Sequence, residues 1–121
     1  MALQTHKDLK VWQESRNLVN EIYTLTSKFP KEEIYSLTAQ IKRASISIPS
    51  NIAEGAARDS NKENIHFLYI ALGSAAELDT QIEIARDLNF LSEDKYKEIS
   101  GKLDKIDKML SGLIRFRQTR R

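Results

Sequence analysis

Residues 41–55 read IKRASISIPSNIAEG, and the fold turns on whether they form one helix. Ile41, Ala44 and Ile48 recur at intervals of three and four, the spacing of a single helical face. Continuing that count lands on Asn51 and then Gly55, so an amide and a bare backbone stand where apolar side chains are expected. Pro49 withdraws a backbone donor from the Ser45 carbonyl, while Ser45, Ser47 and Asn51 carry side chains that bond backbone groups locally. The stretch reads as a helix bent at Pro49, its polar residues fixing one packing partner and one register at a cost in stability. Glu54, one turn beyond Asn51, is expected to join the same network.

Working outward, the helical period continues on both sides. Val11, Ser15, Leu18, Ile22, Leu25 and Phe29 mark a first helix over about 8–28, closed by Phe29-Pro30. The second is predicted over 31–57, with Glu32 and Glu33 in its first turn and Ile34 and Leu37 opening its seam. Asp59 or Ser60 caps a third over 60–88, and Ser92 caps a fourth over 92–117, where Tyr96, Ile99, Leu103, Ile106, Leu110 and Leu113 keep a strict alternation of threes and fours. Two prolines and four glycines leave no room for the turns of a β fold. The prediction is a single all-α domain, 1–121, built as an antiparallel up-down-up-down four-helix bundle.

Composition narrows the function classes. With 121 residues, 40% of them hydrophobic, the chain has the size of one domain with one core. It has no cysteine, which rules out disulfides and thiolate metal sites and suits a cytoplasmic setting. MALQTHKDLK lacks an apolar signal core, and no apolar run is long enough to span a bilayer, so no membrane role is expected. Glu63-x-x-His66 has the spacing used by di-metal bundles, but such a site needs the motif twice, and His6 follows Leu3 rather than an acid. Ser45, Ser47 and Ser50 have no base placed beside them by any motif, and there is no Gly-rich phosphate loop. The expectation is no enzyme, no metal, no cofactor and no small-molecule substrate.

Charge and small residues point instead to partners. The net charge is +2, yet residues 59–88 carry −4 and residues 92–121 carry +4. The third helix shows two apolar rows, Phe67-Ile70-Ser74-Leu78 and Ile65-Leu68-Leu72-Ala75-Ile82, a wider arc than one bundle core requires. Ala71, Gly73, Ser74, Ala75 and Ala76 cluster in its middle, where Gly73 suggests close approach of another backbone. Self-association through this helix would use both features.

The string Gln40-Ile41-Lys42-Arg43-Ala44 followed by Ser47-Ile48-Pro49-Ser50-Asn51-Ile52-Ala53-Glu54-Gly55 resembles the signature of the bacterial four helix bundle proteins, also called ribosomal RNA intervening-sequence proteins. Asp8-Leu9 with Val11-Trp12, Phe29-Pro30 with Glu33, and Phe67-Leu68, Ile70-Ala71, Gly73-Ser74 and Glu77-Leu78 extend the likeness over nearly the whole chain. The resemblance implies a four-helix bundle assembled into ring-like homopentamers. Some genes of the family lie within intervening sequences of large-subunit ribosomal RNA genes, and a related protein is a nucleic-acid-binding accessory factor of diversity-generating retroelements. Many members carry an aromatic residue after the Glu-Gly pair, where this chain has Ala56-Ala57.

Two functions follow as expectations. In the first, a homo-oligomer binds RNA or DNA with weak sequence preference through Lys42, Arg43, Arg58, Arg115, Arg117, Arg120 and Arg121, each weak patch multiplied by the ring. Without a recognition motif bearing surface aromatics, such binding is expected to be led by charge or shape. In the second, the assembly is a protein-interaction scaffold and Gln40, Ser47, Pro49, Asn51, Glu54, Gly55, Gly73, Ser74 and Glu77 are purely architectural.

Overall fold

Helix α1, Lys10–Thr26, buries Val11, Ser15, Leu18 and Ile22 along one face, as their spacing requires. This computed structural model describes residues 5–119. A short 3-10 turn, His6–Asp8, precedes α1 and is closed by a capping box between Thr5 and Asp8. Within α1 the buried Ser15 and Thr26 hydroxyls donate to the carbonyls of Val11 (2.8 Å) and Ile22 (2.9 Å), which lets polar side chains sit in the core.

The second helix begins later than its sequence suggests. Pro30 is extended (φ −56°, ψ 140°), Lys31–Glu33 form a 3-10 turn, and α2 spans Leu37–Ala56. Ser36 is non-helical, and its hydroxyl is 2.8 Å from a Glu33 carboxylate oxygen instead of capping the helix. The predicted start at residue 31 is therefore corrected: the acidic pair sits in a separate turn, and Ile34, expected in the seam, is 48% exposed. Thr38, Ile41, Ala44, Ser45, Ile48, Pro49, Ile52 and Gly55 form the buried side of α2.

Ser60 caps α3, Asn61–Asp87, by accepting from the Glu63 amide, and Ser92 caps α4, Glu93–Gln118, by accepting from Lys95. Between them α3 ends in a Schellman arrangement: Asn89 takes φ 64°, Phe90 donates to the Ala85 carbonyl and Asn89 to that of Arg86, both at 2.9 Å. Phe90 then meets Phe29 of the other turn at 5.7 Å between ring centroids.

Each helix packs on the next, and α4 closes back on α1, giving an all-α four-helix bundle with no strand among the described residues. The core is aliphatic, centred on Leu18, Ile22, Ile41, Ile48, Leu68, Leu78, Ile82, Leu103, Ile106 and Leu110. The α1 to α4 contact is finished at the surface by ion pairs, Lys105 to Glu14 at 3.0 Å and Lys102 to Glu21. The first of these holds the Glu14 carboxyl below its ordinary value. No helix among the described residues is long and apolar enough to cross a membrane.

Candidate nucleic-acid interface

The polar residues of 41–55 meet α3. Ser47 Oγ lies 2.7 Å from Ser74 Oγ, and Asn51 Nδ2 donates to both the Ser47 carbonyl (2.8 Å) and its hydroxyl (2.9 Å). Two helices are thereby registered through one serine, with the amide filling a role that an aliphatic side chain cannot. Ser45 Oγ bonds the Lys42 carbonyl, and α2 runs unbroken across the buried Pro49. Asn51 is only half-buried, because the adjacent Ile52, 1% exposed, takes the core position. Glu54 does not join this network: it turns outward to the Arg58 guanidinium at 3.1 Å.

Gly55 and Gly73 exchange the roles their positions suggest. A Cβ on Gly55 would come within 2.9 Å of Phe67 Cβ and 3.1 Å of the Asn64 carbonyl, so α2 and α3 cross closely only because that atom is missing. A Cβ on Gly73 would meet nothing within 4 Å, so among the described residues no other element approaches it. It lies instead on an outward face of α3 that also exposes Tyr69, Ile70 and Ile84.

The basic residues expected to act together divide into two groups. Lys42 and Arg43 lie about 24 Å along α2 from Arg58, at 1.5 Å per residue. Lys42 Nζ sits 4.7 Å from the Tyr23 ring centroid. Arg43 lines a depression of about 400 Å³ with Gln40, Ala44, Ser47 and Glu77, and Glu77 accepts from the Gln81 amide at 3.4 Å. Arg58, Arg115 and Arg117, by contrast, come to one end of the bundle, because α2 and α4 end where α1 and α3 begin. Lys7, Lys10 and Lys62 belong to the same end through the opening turns of the chain and of α3. Arg120 and Arg121 lie outside the described residues.

Among the described residues both ends carry paired and unpaired cations: Arg58 is paired to Glu54 at one, and Lys28, Lys31 and Lys97 form no ion pair at the other. At the end formed by the α1–α2 and α3–α4 connections, Arg86 is held by Asp87 (3.3 Å) and Glu93 (3.7 Å) and lies over the Tyr96 ring at 4.2 Å. At the opposite end, Lys62 and Arg115 form no ion pair among the described residues. Arg117 stacks toward Phe116, and its shielded Nε has no hydrogen-bond partner. Unpaired cations close together are what a phosphate backbone can neutralise.

One feature of this end escaped the sequence reading. Arg58, Ser60, Lys62, Glu63, His66 and Phe67 line a depression of about 580 Å³. The signal was present as two rows four residues apart, Lys62/His66 and Glu63/Phe67, starting just after Arg58. The spacing of Glu63 and His66 raised a metal site only to reject it; the His66 ring lies edge-on to Phe67 at 5.3 Å. No group of three or more His, Cys, Asp or Glu among the described residues is placed to hold a metal ion.

Residues 7–112 match the family model described as 23S rRNA-intervening sequence protein. A crystal structure from Bacteroides thetaiotaomicron, described as a protein with unknown function from the S23 ribosomal protein family, is similar at 26% identity and a TM-score of 0.81, covering 87% of this chain and 95% of that one. No curated protein matches significantly.

Proposed function

The chain belongs to the 23S rRNA-intervening sequence protein family, and we propose that it is a cytoplasmic homo-oligomer that binds RNA or DNA with weak sequence preference, acting by binding rather than catalysis. The observation that carries this reading is the gathering of Lys62, Arg115 and Arg117 beside Arg58 at one end of the bundle, with Lys62 and Arg115 outside any ion pair among the described residues. A net charge of +2 per chain is modest, but copies arranged around a ring, each presenting the same end, multiply phosphate contacts. The outward Tyr69, Ile70, Gly73 and Ile84 of α3, with the exposed Ile46 of α2, supply apolar surface for the contact between copies, for which a homopentamer is the assembly we propose.

Gel-shift or anisotropy titrations against structured RNA, single strands and duplex DNA test the reading. Raising salt from about 50 to 200 mM is expected to weaken binding tenfold or more. Reversing Arg115, Arg117, Arg120 and Arg121 to glutamate is expected to lower both affinity and salt slope, with the oligomer intact. If no nucleic acid binds at low salt, a second reading replaces it: a protein-interaction scaffold, which the same exposed Ile46, Ile70 and Ile84 favour.

A further inference from the structure

We propose that the depression where α2 turns into α3 is a pocket for one nucleotide of a single strand, its base stacked on the Arg58–Phe67 pair and its phosphate on Lys62 and His66. This rests on the nucleic-acid reading above and changes its character, since a purely electrostatic surface has no reason to prefer unpaired bases.

The pair is already assembled. The Arg58 guanidinium lies over the Phe67 ring at 4.9 Å, and Glu54, 3.1 Å away, ties it down from its own helix. With its charge answered by Glu54, Arg58 serves better as a flat plate than as a phosphate anchor. Its side chain remains 42% exposed, so the face turned away from Phe67 is free to receive a second flat group. Phe67 is fixed beneath it by close packing on Gly55, and His66 meets the same ring edge-on. Bases of single strands stack on aromatic rings and on guanidinium planes alike, whereas in a duplex those faces are consumed by neighbouring bases.

Donors and acceptors sort themselves around this plate. Lys62 and His66 stand four residues apart in one helical row, and both line the depression with side chains that carry N–H donors. Glu63 and Phe67 form the neighbouring row, which faces α2. A carboxylate there repels phosphate from the inner edge and directs it to Lys62 and His66, leaving the inner edge for the donor groups of a base. About 580 Å³ accommodates one nucleotide.

The experiment uses the full-length protein at low salt with three probes: a twelve-residue oligouridylate, the matching oligothymidylate and a twelve-base-pair duplex. Phe67→Leu keeps an apolar side chain against Gly55, and Phe67→Tyr restores the ring; circular dichroism checks that each remains helical. Phe67→Leu is expected to weaken both single strands at least fivefold, leave the duplex within twofold, and be rescued by Phe67→Tyr. Lys62→Gln is expected to weaken single strands and flatten their salt dependence. Unequal losses for the two single strands would assign the preference to the 2′-hydroxyl or the thymine methyl without altering the pocket. Equal losses on single strands and duplex, or none on either, overturn the pocket while the charge-led reading stands. An absence of binding to all three probes overturns both.

Discussion

Two glycines, Gly55 in the α2–α3 contact and Gly73 on the outward face of α3, have opposite uses, and alanine distinguishes them. At Gly55 the new methyl would collide with Phe67 Cβ at 2.9 Å and the Asn64 carbonyl at 3.1 Å, one of them backbone that cannot rotate away. Overpacking of this kind costs about 1–3 kcal/mol, against a helix-propensity gain of up to about 1 kcal/mol, so Gly55→Ala is expected to lower stability. At Gly73 the space is open in the protomer. There Gly73→Ala is expected to add about 0.5–1 kcal/mol to the stability of the isolated chain. Urea unfolding of both variants checks the pair. If Gly73 lies in a contact between copies, the same substitution lowers the assembled mass even while it stabilises the monomer.

At the scale of the element, α4 carries a charge the fold does not favour. Burial, the largest cause, raises the Asp107 carboxyl above its ordinary value, and the nearby Asp104 and Asp79 add to this. One Asp107 oxygen is shielded and without a hydrogen-bond partner. Because its folded value lies above its unfolded one, ionisation of Asp107 opposes folding at neutral pH, and that opposition is relieved as pH falls through the raised value toward the ordinary one. Asp107→Asn is therefore expected to raise Tm modestly at pH 7 and to lose that advantage near pH 4, which thermal melts at the two pH values measure. Glu14, held down chiefly by its hydrogen bond from Lys105, runs the other way: its contribution to the α1–α4 contact is present at neutral pH and lost under acid.

For the whole molecule, the proposed assembly makes the decisive prediction. A single chain of 13.9 kDa exposes Tyr69, Ile70 and Ile84 on the outward face of α3 and Ile46 on α2, and multi-angle light scattering at micromolar concentration is expected to return a multiple of that mass. A mass of 13.9 kDa under those conditions would remove the ring and with it the multiplied phosphate contacts. The sequence by itself determined the four helices and most of their buried faces, because the spacing of Val11, Leu18 and Ile22, or of Ile99, Leu103, Ile106 and Leu110, is a local property that fixes a helical face whatever it packs against. The caps were legible for the same reason, Ser92 outright and Ser60 as one of two candidates with Asp59, each being settled within a few residues. The sequence misplaced the start of α2, where the extended Pro30 and the non-helical Ser36 override an apolar period that runs on through Ile34. Tertiary structure alone decided that Ser47 meets Ser74, that Glu54 turns to Arg58, and that Gly55 rather than Gly73 is the close crossing. It also separated Lys42 and Arg43 from Arg58 and brought Arg58 to Lys62, His66 and Phe67. Such pairings depend on the relative rotation and translation of two helices, which side chains from both set jointly and neither helix encodes alone.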